Sequence, residues 1–355
     1  MLIVRTWDVI IVGGGIIGLS LAIALRKRGA RVLIVERGEP GHEASSAAGG
    51  MLVDAKAETA PALQPLATAS AAMYPEFVHE LQDESGMNVD LRDQGTLLVP
   101  APGHELSAHD AVTLPAPLAK LEPALAPPNC SVFYLKERSV DPRALAAAAV
   151  KAAKHREVDF SSGDPVVGVD IVDGHAAGVT TAKTRFLASK VVNCAGAWSG
   201  KLPPHRFPTR PVKGQMLCLA AASRTLLRHV VRTSDVYLIP RSNGRILAGA
   251  TVEEAGFDKR TDGATIQRLH RAAIATIPAL SEARILEAWA GLRPGTPDAL
   301  PILGATATAG YFVATGHFRD GILLAPITAS LMADVVTGIR PAYNLRAFAA
   351  SRFSH

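Results

Sequence analysis

Cysteine is scarce in this chain. Cys130, Cys194 and Cys218 are the only three, far apart and odd in number. No CxxC pair or Cys/His ligand spacing appears, so neither a disulfide framework nor a zinc site is indicated, and free thiols fit a reducing, cytoplasmic compartment. Charge is also sparse, at 19% of residues, with no dense Lys/Arg run and no interleaved basic and aromatic stripe. A net charge of +5 is mild. It tolerates an anionic ligand but leaves no nucleic-acid footprint. Long apolar runs are nearly absent. Val9 to Leu25 is the one candidate, and it is broken by Gly13, Gly14, Gly15 and Gly18. It is short for a membrane span of about 20 residues and does not read as a signal peptide. No internal repeat is found, and no low-complexity tract beyond Ala-rich helical stretches.

What is present is a globular composition: 48% hydrophobic over 355 residues. That length suits two domains or one large one, with a substantial core. The chain opens with a β-branched apolar run, Asp8 to Val12, then a glycine-rich turn. A helical pattern from Leu19 to Gly29 follows, then a second apolar run, Arg31 to Val35, ending at Glu36. Further helices are expected over 69–86, 142–154, 264–277 and 322–336, and buried strands over 189–193 and 311–315. Between Val89 and Val140 the pattern breaks into short strands and Pro-rich loops (Pro100, Pro102, Pro115, Pro117, Pro127, Pro128), and from Pro211 to Ala250 it is strand-rich. Nucleotide-type strand–turn–helix units at both ends, with a strand-rich middle, imply an α/β plus α+β architecture.

The strongest motif is Gly13-x-Gly15-x-x-Gly18. Gly13 permits the tight turn, Gly15 lets backbone approach a pyrophosphate, and Gly18 lets the helix pack on the sheet. The helix N-terminus then offers amides and partial positive charge to the phosphates. Glu36 is placed to accept from ribose hydroxyls. An acid there fits NAD or FAD and opposes NADP.

Other segments are open to two readings. Asn193-Cys-Ala-Gly196-Ala-Trp198 lets backbone approach a cofactor, or is a packing turn. Gly316-His317-Phe318-Arg319-Asp320-Gly321 precedes a helix whose free amides suit negative charge on a reduced flavin ring, or it is a tight turn. Arg293, in Trp289-Ala-Gly-Leu-Arg-Pro-Gly-Thr296, carries a planar donor fork that matches a carboxylate, yet composition alone makes it a surface arginine. Tyr237 reads as a core tyrosine, His317 as a packing or hydrogen-bonding residue rather than a base, and Met51 as a gap-filler.

These residues together resemble the FAD-dependent amine and D-amino-acid oxidases, in particular their glycine oxidase branch. The resemblance runs through Val9 to Gly18, Glu36-Arg37, Ser45 to Met51, Pro211 to Gln215, Tyr237-x-x-Pro-Arg241, Trp289 to Thr296 and Gly316 to Pro326. It implies a Rossmann-type, glutathione-reductase-like FAD domain (residues 1–88, 140–200 and 290–355) with an antiparallel-sheet substrate domain (89–139 and 201–289). Gly13, Gly15, Ile16, Ile17, Gly18, Glu36, Arg37, Ala44, Ser45, Gly49, Gly50, Met51, Val166 and Gly196 would hold FAD. His317, Phe318, Arg319, Asp320, Gly321, Ile322 and Leu323 would wrap the flavin ring. Arg293 would bind a substrate carboxylate, Tyr237 would assist through its hydroxyl, and Arg319 would border the substrate pocket. No cysteine follows Cys218, so the flavin is expected to be non-covalent. The implied reaction is oxidative deamination of a small amino acid or amine, with O2 as acceptor and hydrogen peroxide as product. A homo-oligomer, such as a tetramer, and thiazole synthase as metabolic partner are implied in the same way.

Overall fold

The computed structural model describes residues 6–55, 59–100, 114–128 and 130–353, so Pro102 of the Pro-rich segment lies outside the described residues. The β-branched runs become the middle of a sheet because both their faces are covered. Val9–Val12 is buried at every position and pairs in parallel with Val32–Glu36, Val12 opposite Val35. Val191–Asn193 and Tyr311–Thr315 extend the sheet on one side and Asp159–Ser162 on the other, all parallel. Antiparallel Ile302–Ala305 completes a six-stranded mixed sheet. The helices Ile16–Lys27, Gln64–Ser85, Pro142–His155 and Ala325–Thr337 share one core on one face. A small sheet of Val166–Val172, His175–Thr181 and Arg185–Ala188, joined by Thr6–Trp7, packs on the other through Val169, Val179 and Ala188.

Helix ends follow local chemistry. The opening helix closes on Arg26 and Lys27, which suit its dipole. Asp141 caps Pro142–His155 by accepting from the amides of Arg143 and Ala144 at 2.9 and 3.3 Å. The helix expected over 69–86 begins earlier, at Gln64, because Pro65 belongs naturally to a first turn that needs no amide donor. Pro75 inside it removes the donor for the Ala71 carbonyl, and Arg138 Nη1 supplies one at 3.3 Å. The last helix begins at Ala325 rather than Ile322, with Pro326 in its first turn. Ile322 to Leu324 therefore lengthen the preceding turn.

The second sheet has seven strands, in the order Arg284–Gly295, Arg210–Ala220, Arg245–Gly249, Tyr237–Pro240, Val230–Arg232, Thr96–Leu98 and Phe133–Leu135. It is antiparallel except where Val230–Arg232 runs parallel to Thr96–Leu98. The strand Arg284–Gly295 runs unbroken across residue 290. One face buries Leu217, Leu219, Leu238 and Ile246 against Leu269 and Ala273 of the helix Gly263–Thr276. The other face looks toward the C-terminal ends of the parallel strands. Among the described residues no helix is long and apolar enough to cross a membrane.

Candidate active site

A single cleft of about 1170 Å³ runs from the C-terminal ends of the parallel strands to the open face of the second sheet. At its first end stands the glycine turn. Gly13 has φ +106°, and a β-carbon there would lie 2.5 Å from the Cys194 carbonyl oxygen. The helix Ile16–Lys27 starts at Gly15 with no side-chain cap and no acid in its first turn. The Gly15 and Ile17 amides have no partner among the described residues, and the Ile16 amide donates to Ser45 Oγ at 2.9 Å. This is an anion cradle made of backbone. Glu36 braces it by accepting from the Gly14 amide at 2.7 Å and the Gly38 amide at 2.9 Å. Arg37 stacks 3.5 Å above the Trp198 ring and donates to Glu43 at 2.6 Å. Val166 and Gly196 line the same end.

Ala44, Ser45, Gly49, Gly50 and Met51 form the middle of the wall. Gly50 has φ +78° and lies so close to the Val140 carbonyl that a β-carbon would come within 2.0 Å of it. Arg241, 4% exposed, donates through Nη2 to the Gly49 carbonyl at 2.7 Å.

Opposite lies the turn from Gly316 to Leu324. Its Phe318 amide donates to the Pro294 carbonyl at 3.0 Å, which ties the turn to the strand carrying Arg293. His317 is buried with Nε2 3.2 Å from Thr328 Oγ1, and burial pulls its imidazole down to about 3. It is therefore neutral and packed behind the turn. Burial raises the Asp320 carboxyl to about 6, against the pull of neighbouring Arg319. The Gly321 and Ile322 amides have no partner among the described residues.

The remaining wall is the second sheet. Its register sets Met216 opposite both Trp289 and Gly249, and Tyr237 opposite both Gly249 and Arg232, so these residues form one row across five strands. Gly214 faces Gly291, and Val212 faces Arg293. Arg293 Nη1 donates to the Thr251 carbonyl at 3.1 Å. Burial lowers its guanidinium, and the adjoining Tyr237 opposes that. Burial likewise raises the Tyr237 phenol, against Arg293 and Arg319. The pair thus offers a cation and a neutral hydroxyl to one bound group.

The family model described as "FAD dependent oxidoreductase" matches residues 8–335. The chain belongs to this family. It is 34% identical to a glycine oxidase of Geobacillus kaustophilus over 98% of this chain and 97% of that protein. The crystal structure of the G. kaustophilus glycine oxidase superposes with a TM-score of 0.91, at 31% identity, over 99% of this chain and 100% of that one. The chain is 32% identical to hydrogen cyanide synthase subunit HcnC of Pseudomonas aeruginosa over 98% of its length and 97% of that protein's. It is also 35% identical, over 98% of its length, to the bifunctional protein ThiO/ThiG of Trichormus variabilis. It spans about half the length of the ThiO/ThiG relatives it matches.

FAD is the cofactor of this family, and the residues present fit it. The unpartnered amides at the opening helix suit its pyrophosphate, the acid at the end of the second strand suits its ribose, and the cleft continues to a turn with free amides where the ring would end. Of the residues expected to touch cofactor or substrate, all line the cleft except Gly18 and Leu323. Gly18 acts in packing, since a β-carbon there would sit 2.1 Å from the Gly13 carbonyl oxygen. The Leu323 side chain belongs to the helical core, because the turn rolls it inward before the last helix begins. Sequence reasoning assigned no role to Gly214, Arg241, Trp198, Ser70 or Tyr74. Gly214, Arg241 and Trp198 stand inside quoted motifs. Ser70 and Tyr74 lie in an ordinary helical pattern that carries no such signal.

Proposed function

We propose that this flavoprotein is an oxidase of glycine and related small amines or D-amino acids, yielding the imine or 2-oxo acid, ammonia and hydrogen peroxide. The observation that carries this reading is Arg293 beside Tyr237 in the same cleft as the dinucleotide cradle. When bound, FAD supplies a two-electron acceptor for the hydride on the substrate Cα and returns those electrons to O2. The protein supplies position. Arg293 takes the carboxylate with two parallel donors, and Tyr237 adds a neutral hydroxyl. Met216, whose sulfur is 3.8 Å from the Tyr237 hydroxyl, lines the cleft beside the pair. His317 is turned to Thr328 and is no base. The substrate amine is required neutral and loses its proton to solvent.

The flavin is held non-covalently. Cys194 on the cleft wall is buried, and burial pushes its thiol far above the usual range, so it is no nucleophile. Acid precipitation that leaves the yellow colour in the supernatant agrees with this. Colour in the pellet refutes it.

Anaerobic mixing with glycine, sarcosine and D-alanine tests the substrate. Bleaching of the flavin by glycine, with peroxide on readmitting air, supports the proposal and ranks the substrates. Bleaching only by sarcosine or another N-substituted glycine moves the substrate and keeps the chemistry. A second reading keeps the same chemistry and passes the electrons to an acceptor other than O2. Dye reduction without peroxide is its signature. We place the thiazole branch of thiamine synthesis, with thiazole synthase as metabolic partner, as the pathway on the likeness to ThiO/ThiG. Loss of thiamine-independent growth on deletion of the gene tests that.

A further inference from the structure

The helix Gln64–Ser85 reaches the back of the 316–324 turn with two hydroxyls. Tyr74 Oη donates to the Ile322 carbonyl at 2.5 Å, and Ser70 Oγ donates to the Leu323 carbonyl at 2.6 Å. Both side chains are fully buried. The residues are four apart, so they stand one above the other on one helix face. Ser70 Oγ also accepts the Ile327 amide at 3.3 Å, and the Ile322 carbonyl also accepts the Ala325 amide at 3.2 Å. The two hydroxyls therefore join the turn to the first turn of the last helix. On the other side of the same turn, Gly321 and Ile322 line the cleft with unpartnered amides.

Each trans peptide unit points its carbonyl and its N–H in opposite directions. A turn this short and this buried has few arrangements, and each must satisfy its carbonyls. The Ile322 and Leu323 carbonyls share peptide units with the Leu323 and Leu324 amides, and the Leu324 amide donates to the Asp320 carbonyl at 2.8 Å, so the two hydroxyls pin the backbone directly after the Ile322 amide. Without them the turn loses the anchor that holds the Gly321 and Ile322 amides toward the cleft, where a reduced flavin ring would carry negative charge.

We propose that Tyr74 and Ser70 are positioning residues for the cofactor: by holding the Ile322 and Leu323 carbonyls against their helix, they keep the turn's amide side presented to the flavin. The inference goes beyond the substrate reading and does not depend on it. Neither residue touches substrate.

The test uses Tyr74→Phe, which removes one oxygen and keeps the ring, and Ser70→Ala. Three quantities are measured on purified protein: the FAD dissociation constant from titration of the stripped protein, the sulfite dissociation constant of the holoenzyme, and Tm with and without FAD. Sulfite adds to oxidised flavin most tightly where the site stabilises negative charge on the ring. The expected result is FAD binding weaker by about 3- to 10-fold in each variant, with weaker sulfite binding. A merely structural role lowers Tm equally with and without FAD and leaves both dissociation constants unchanged. That result overturns the proposal. Should Tyr74→Phe fail to fold, Ser70→Ala gives the same decision, since it frees the Leu323 carbonyl and the Ile327 amide and leaves the Tyr74 bond in place.

Discussion

The Arg293 guanidinium lies in the space where a side chain on Gly214 would be: a β-carbon built on Gly214 would come within 2.3 Å of Nη1 and 2.5 Å of Nη2. Gly214 and Arg293 sit on neighbouring strands of the second sheet, two register positions apart and so on the same face. The missing side chain is what lets the arginine lean toward Tyr237 instead of standing off the sheet. Gly214→Ala is expected to displace the guanidinium by about the width of a methyl group. The expected kcat/KM for a carboxylate substrate falls by about 100-fold, carried mainly by KM. The flavin-to-protein ratio is unchanged. Steady-state kinetics and the visible spectrum read both quantities.

Arg293 itself separates charge from geometry. Arg293→Lys keeps the charge but loses the planar fork, and Arg293→Ala loses both. Lysine is expected to retain part of the activity. Alanine is expected to lower kcat/KM for glycine by about 100- to 1000-fold while the protein stays yellow. Normal turnover in the alanine variant sinks the assignment of Arg293 to the substrate carboxylate.

Glu36 serves the empty and the loaded cradle alike. Removing its carboxylate strips the Gly14 amide of an acceptor in a half-buried turn, while the exposed Gly38 amide turns to water. Glu36→Ala is expected to lower the stability of the stripped protein by about 1–3 kcal/mol and to weaken FAD. Glu36→Gln, which keeps an acceptor oxygen, is expected to fall between. Denaturant melts of the stripped protein and FAD titration check the order.

Two groups of the flavin-side turn give opposite pH slopes. Asp320 is raised from 3.8 to about 6, so the folded state favours its neutral form. Its contribution is full below pH 3.8 and is lost as pH rises through about 6. His317 is lowered from 6.5 to about 3, so its contribution is full above 6.5 and is lost as pH falls toward 3. In the FAD-free protein, Asp320→Asn is expected to raise Tm above pH 6 and to match the parent near pH 4. His317→Gln is expected to reduce the loss of Tm between pH 6.5 and 4. A Tm difference for Asp320→Asn that does not vary with pH excludes the titration of this carboxyl as its cause.

Much of the dinucleotide end was legible in the sequence because it is local. Val9 to Val12, the glycine turn, the opening helix and Glu36 are consecutive, and each has a steric or electrostatic reason to follow the last. The Gly13 and Gly18 requirements are backbone contacts within that unit or across to Cys194. Helix starts were less legible. Pro65 and Pro326 sit in first turns, where proline is accepted, and the pattern before them does not say on which side the helix lies.

What the sequence by itself determined is the parallel opening unit, the small residues of its turn and the acid that closes it, since neighbours in the chain already satisfy one another there. Only the tertiary structure decided that Arg293 lines the cleft beside Tyr237. Its meaning depends on strand register against Gly214 and on Tyr237 two strands beyond that glycine. The same holds for Tyr74 and Ser70, whose hydroxyls find the Ile322 and Leu323 carbonyls across about 250 residues of chain. A helix pattern shows which face is buried, but not which carbonyl, brought from elsewhere in the fold, waits for a donor on that face.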